Sequence, residues 1–114
     1  MPLRPRLDAL SVLAVDDNRY MCELIATLLR TFGITQIYSC EDVGRALNTL
    51  RSEQIDIVLT DLSMTPIDGL EFTKTLRRSP DSPAPFIPVL MITGHSDRAK
   101  VVAARDAGVN EFLV

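Results

Sequence analysis

Several things are scarce in this chain, and each scarcity removes a class of function. There are two cysteines, Cys22 and Cys40, far apart and without a C-x-x-C spacing. A disulfide framework in so short a chain would need more of them, so both read as reduced core residues of a cytosolic protein. Basic charge is not in excess: 12 Lys and Arg stand against 15 Asp and Glu, a net charge of -3. That leaves no footprint for direct contact with nucleic acid, and the densest basic pair, Arg77-Arg78, lies close to Asp81. No apolar run approaches the roughly 18 to 20 residues that a membrane span requires. The N-terminal MPLRPRLDAL has no continuous apolar core of a signal peptide and reads as a tail over residues 1–10. Internal repeats and low-complexity segments are missing too.

What is present describes one compact domain. The 114 residues are 46% hydrophobic and 24% charged, enough to bury a core and too few for two domains. The informative stretch is Ile55 to Gly69, IDIVLTDLSMTPIDG. Its apolar, β-branched opening has the length and character of a strand covered on both faces, which belongs inside a parallel sheet. It then delivers a carboxylate, Asp61, into a loop of turn formers: Ser63, Thr65, Pro66, Asp68 and Gly69. Packing does not favour a carboxylate at the end of a buried strand; chemistry does.

Around that stretch the pattern alternates. Ser11–Asp16 predicts a first buried strand, followed by Asp17 or Asn18 as N-cap of a helix. That helix carries Met21, Leu24, Ile25, Leu28, Leu29 and Phe32 at the spacing of one buried face, with Gly33 as its stop. Gln36–Ser39 predicts a second strand and Glu41–Leu50 a second helix. Leu70, Phe72, Thr73 and Leu76 mark a third helix, ended by Ser79-Pro80. The segment from Ser79 to Pro88 holds four prolines and reads as a loop without regular hydrogen bonding, on the edge away from Asp61. Val89–Thr93 is a fourth strand closed by Gly94. Asp97–Asp106 is a fourth helix with Val101, Val102 and Ala104 inward, and Glu111–Val114 begins a fifth strand. Alternation at this spacing predicts a flavodoxin-like, doubly wound α/β fold with a five-stranded parallel sheet of order 2-1-3-4-5.

In that order the first and third strands are neighbours, so Asp16, Asp17 and Asp61 converge at the topological switch point. Singly, Asp16-Asp17 is an N-cap pair, Asp61 a loop carboxylate and Thr93 a β-branched strand residue. Together they make a site. Three ionised carboxylates repel one another, and a hard divalent ion relieves the repulsion. Oxygen ligands without His or Cys select Mg2+ over zinc. Such an ion can hold a phosphoryl donor against a carboxylate nucleophile, and Thr93 places a hydroxyl where it can donate to an acyl-phosphate oxygen.

With Asp16-Asp17 after the first strand, Asp61 through Asp68-Gly69 after the third and Thr93 after the fourth, the chain resembles the receiver domain of two-component response regulators over Ser11 to Val114. The resemblance implies a phosphorelay switch, with Asp61 accepting a phosphoryl group from a histidine kinase or histidine phosphotransfer protein. It implies Mg2+ on Asp16, Asp17, Asp61 and the backbone carbonyl of Ser63, Thr93 as the phosphoryl-sensing hydroxyl, and Phe112 as a repacking switch. The fourth helix and fifth strand would form the output face for a downstream protein. Ser63 and His95, the single histidine, are expected to tune the lifetime of the phosphoryl group.

Three departures stand out. Proline follows as Met64-Thr65-Pro66, one place later than the family's Met-Pro, and Gly94 after Thr93 leaves access to the pocket open. The family's lysine after the fifth strand, and its fifth helix, are absent from the sequence. This makes residues 11–114 a receiver domain incomplete at its C-terminal side and invites self-association through the fifth-strand region. The alternative function is a degenerate interaction module that is not phosphorylated. A haloacid-dehalogenase-type phosphohydrolase would want a carboxylate where Ser63 stands. A flavodoxin would want a flavin-sandwiching aromatic pair in the loops.

Overall fold

The computed structural model describes residues 6–94 and 98–114. His95 and the expected helix start at Asp97 lie outside the described residues. A short 3-10 turn at Leu7–Ala9 leads into β1 (Ser11–Val15), followed by α1 (Arg19–Thr31), β2 (Gln36–Cys40), α2 (Val43–Ser52), β3 (Ile57–Asp61), α3 (Gly69–Arg78), β4 (Val89–Ile92), α4 (Arg98–Ala107) and β5 (Glu111–Leu113). The strands form one sheet of order β2-β1-β3-β4-β5, with every neighbouring pair parallel. This is the expected flavodoxin-like order.

Local chemistry sets the helix ends. Asn18, not Asp17, caps α1, its side-chain oxygen accepting from the Met21 N–H at 3.1 Å. Gly33 supplies the positive φ of +94° that turns the chain out of α1, a region that disfavours residues with a Cβ. Asp42 accepts from the Arg45 N–H at 2.8 Å, so α2 starts at Val43 instead of Glu41 and runs on to Ser52. Asp68 caps α3 in the same way through the Glu71 N–H. β3 begins two residues later than the apolar run suggests. Asp56 stands at the sheet's lower edge, accepting from the Ser11 N–H at 2.8 Å.

The sheet separates two unequal layers. On one face Leu13, Val15, Val58 and Val89 pack with Val43, Ala46 and Leu50 of α2 and Phe72 and Leu76 of α3 in a continuous buried cluster. On the same side Met91 and Ala104 bring in α4, with Phe112 of β5 half-buried against them. The opposite face has a smaller cluster, Val12, Ile34 and Leu59, with Ile25 and Leu29 of α1 leaning on it.

Two expectations about helix faces need correction. α1 buries Cys22 and Ala26, while Met21, Leu24, Leu28 and Phe32 stay exposed, Leu24 by 51% and Phe32 by 69%. The helix lies over β1 and β2. Only the part of its apolar arc facing those strands is covered, and the small Cys22 and Ala26 permit the close approach. In α4, Val101 and Val102 are exposed, and Ala104 and Ala107 are the buried residues. That helix meets the core on one narrow side, through two methyl groups three positions apart.

The proline-rich segment is more ordered than its composition implies. Turn hydrogen bonds run from Ser82 N–H to the Ser79 carbonyl and from Ile87 N–H to the Ala84 carbonyl, and Ile87 is buried. Both cysteines are free thiols in the core, as their isolation in the sequence suggests. Among the described residues, no helix is long and apolar enough to cross a membrane.

Candidate functional site

The site is built where β1 and β3 end side by side. Val15 pairs with Thr60 across the two strands, so the next residues, Asp16 and Asp61, emerge together at the sheet's C-terminal edge. The Asp16 N–H extends the ladder by bonding the Cys40 carbonyl at 3.1 Å, which fixes the chain as it leaves the strand. One carboxylate oxygen from each of Asp16, Asp17 and Asp61 lies within 4.8 Å of the others. Asp16 is buried, Asp61 half-buried and Asp17 exposed.

Two of the carboxylates are held by backbone N–H groups. Asp16 accepts from the Asn18 N–H at 2.9 Å, and Asp17 accepts from the Thr65 N–H at 3.3 Å, tying the α1 entrance to the loop after β3. That loop folds back so closely that the first residue of α3 must be glycine. The Gly69 N–H bonds the Leu62 carbonyl at 2.9 Å, and a Cβ at Gly69 would run into the Asp61 backbone carbonyl. The Thr65–Pro66 peptide is cis. The shifted proline sits in a loop that keeps the Asp61-to-Asp68 spacing.

Burial is the main cause raising the Asp16 carboxyl above its ordinary pKa. The charges of Asp61 and Asp17 push the same way, and the Asn18 N–H opposes them. A cation at the cluster would reverse that balance. The donor set is oxygen only, which suits a hard divalent ion such as Mg2+ with water completing its shell. Asp16, Asp17 and Asp61 are the side chains that could hold it.

An open cleft of about 480 Å³ runs from this cluster between α1 and the sheet, with Ser63, Thr93 and Gly94 on its rim. Thr93 is buried one residue beyond β4, its N–H donating to the Leu113 carbonyl at 3.0 Å. Among the described residues, a Cβ on Gly94 would meet nothing within 4 Å. Asp16, Asp17, Asp61, Ser63 and Thr93 are thus gathered at one place. Phe112 is not in the cleft. It sits beside Met91 on the neighbouring strand, packed near Ala104.

Two contributors were not legible as such. Thr65 reaches Asp17 only because the loop folds back, and nothing in its spacing announces that. Gly69 reads in sequence as a turn former of the loop after Asp61, whereas in the fold it opens α3 and lets the backbone pass Asp61. An Asp-Gly pair before an apolar helix was the available signal.

Comparison with known proteins agrees with this geometry. The family model of the response regulator receiver domain matches residues 12–114. The chemotaxis protein CheY-3 of Vibrio cholerae is 33% identical over 105 residues, covering 92% of this chain and 79% of the relative. CheY of Pseudomonas aeruginosa is also 33% identical, over 92% of this chain and 83% of its own length. Among solved structures, V. cholerae CheY4 superposes with a TM-score of 0.83 at 28% identity, over 93% of this chain and 87% of that one. A response regulator receiver protein from Pseudomonas putida gives 0.82 at 28% identity, over 97% and 87%.

Proposed function

Because this chain belongs to the response regulator receiver domain family, we propose that it is a phosphoryl-accepting switch, with Asp61 as the acceptor. The observation that carries the reading is the convergence of Asp16, Asp17 and Asp61 within 4.8 Å at one sheet edge, beside a cleft open to a donor. In the proposed step, an Asp61 carboxylate oxygen attacks the phosphorus of a phosphohistidine on a kinase or phosphotransfer protein. An O–P bond forms, the N–P bond breaks, and the histidine nitrogen leaves with the electron pair. Asp61 gives up its acceptor capacity to the new bond, while Asp16 and Asp17 hold their positions through the Asn18 and Thr65 N–H groups. A magnesium ion on the three carboxylates and the Ser63 carbonyl would supply neutralisation of the charge gathered at the donor. Such a protein changes state once per phosphoryl group and turns over no substrate of its own.

Thr93, buried at the cleft with its backbone anchored to β5, is the proposed sensing hydroxyl. Phe112 is the proposed reporter: half-buried, it can repack against Met91 and Ala104 when β4 and β5 shift. The downstream protein target is expected on the α4–β5 side. Ser63 on the cleft rim, together with His95, is proposed to set how fast water removes the phosphoryl group.

Intact mass spectrometry with Mg2+ and a small phosphodonor tests the central claim. One added phosphoryl group is expected, and none in Asp61→Asn. No gain in the parent would favour the non-phosphorylated interaction module instead. Decay of the phospho-form at the parent rate in His95→Ala would remove that residue from the lifetime proposal.

A further inference from the structure

A sulfur atom takes part in the carboxylate cluster in a way that the receiver reading does not assign. Cys22 lies in the first turn of α1, buried, and its thiol donates to the Asp16 carbonyl at 3.2 Å. That bond is outside the helix ladder, because the Cys22 N–H goes to the Asn18 carbonyl at 3.1 Å in the ordinary way. The thiol reaches six residues back instead, to the peptide that joins Asp16 to Asp17. Its sulfur also stands 3.9 Å from the Cys40 carbonyl, the oxygen that accepts from the Asp16 N–H at 3.1 Å. Cys22 thus lies between the ends of β1 and β2, under the turn that carries two of the three aspartates.

The polar groups of Asp16 are then accounted for. Its N–H goes to Cys40, its carboxylate accepts from the Asn18 N–H at 2.9 Å, and its carbonyl accepts from the Cys22 thiol. The direction of that carbonyl matters for the site. A peptide is planar, so turning the Asp16 carbonyl also turns the Asp17 N–H and shifts the Asp17 Cα. Asp17 is the exposed member of the cluster, and the Thr65 N–H reaches its carboxylate only at 3.3 Å. Its place relative to Asp16 therefore depends on the peptide between them. We propose that Cys22 is a positioning residue for the metal pair, its thiol fixing the Asp16–Asp17 peptide so that both carboxylates face one divalent ion. The inference rests on the receiver reading above in one respect, that these aspartates take up such an ion. Groups that hold metal ligands without touching the metal set a share of its affinity. A thiol is a weak donor, which places its share at the low end.

Calorimetric titration of the full chain with Mg2+ tests this in the parent, Cys22→Ala and Cys22→Ser. Both variants lose the same sulfur, and only serine keeps a donor. Cys22→Ala should weaken Mg2+ binding about tenfold, and Cys22→Ser should recover most of that loss. Urea midpoints of the metal-free proteins should not follow the same order, because a buried hydroxyl stabilises the fold no better than a methyl group. A packing role alone would lower both affinities together. In the metal-free protein the Asp16 carbonyl 13C resonance should move upfield in Cys22→Ala and stay near its parent position in Cys22→Ser. Equal Mg2+ affinity in the parent and Cys22→Ala overturns the proposal, and so does a Cys22→Ser that binds no better than Cys22→Ala. A parent that takes up no Mg2+ overturns the metal reading together with it, whereas a parent that binds alongside unaffected variants leaves that reading standing. If neither variant folds, thiol labelling of the parent decides. By linkage, saturating Mg2+ should slow iodoacetamide labelling of Cys22 by more than it slows that of Cys40, and equal slowing overturns the proposal.

Discussion

The two faces of the sheet are built from similar apolar residues and end up in different conditions. Beneath α2 and α3, side chains from four strands and two helices interlock, and Phe72, Leu76, Val58 and Val89 are fully enclosed. Beneath α1 the buried hydrophobic cluster is three residues, Val12, Ile34 and Leu59, and Met21, Leu24 and Leu28 of the helix look onto an open cleft. Apolar area stabilises a fold only to the extent that something removes it from water. Leu76 and Leu28, each a leucine on an amphipathic helix, therefore should carry very different weight. The packed face holds the scaffold rigid, and the carboxylate cluster sits at the seam where that rigid layer meets the open one.

The contrast can be broken most forcefully at Phe72. Phe72→Ala should cost about 3–5 kcal/mol, read as a fall in the urea midpoint, because its neighbours on three elements cannot close the void. Helix caps probe whether the asymmetry is one of packing alone. Asp42→Ala on the packed side and Asn18→Ala on the open side should each cost about 1 kcal/mol, since a cap bond is local to its helix end. A large difference between them would mean that the layers differ in more than coverage.

At the seam, the sign follows from the raised pKa of Asp16. The unfolded carboxyl titrates at about 3.9 and the folded one higher, so the folded state binds the proton more tightly. Metal-free protein should then lose stability as pH rises from the unfolded pKa through the folded value, and keep that loss above it. Asp16→Asn should flatten this part of the profile while still accepting from the Asn18 N–H. Urea midpoints across the acidic to neutral range, without divalent ions, measure it. Added Mg2+ should raise the parent's midpoint at neutral pH and leave Asp16→Asn closer to its metal-free value. The smallest effect belongs to the open face: Leu28→Ser should shift stability by no more than about 0.5 kcal/mol. A loss comparable to a core leucine would show that α1's outer arc is covered after all.

Much of this was legible from residue order. Strand-length apolar runs alternating with helical spacing specify the parallel sheet, and the crossover rule then brings Asp16 and Asp61 to one edge. What escaped reading has a common cause. Periodicity tells which residues share a face of a helix and says nothing of how much of that face another layer will cover. Hence Met21, Leu24 and Leu28 in α1 and Val101 and Val102 in α4 carry the pattern of core residues and lie in water. Asp56 shows the reverse case. It interrupts an apolar run in the sequence, yet it is a satisfied edge residue because β1 brings the Ser11 N–H to it.

The sequence by itself determined the order of elements, the cap of α1 to within one residue and its stop at Gly33, and the three aspartates that had to meet, because each follows from local spacing and from chain connectivity. Only the tertiary structure decided how far α1 and α4 are covered, that the Thr65 N–H reaches Asp17, and that the Ser11 N–H reaches Asp56. Those outcomes depend on groups tens of residues apart in the chain, and their proximity exists only once the sheet has formed.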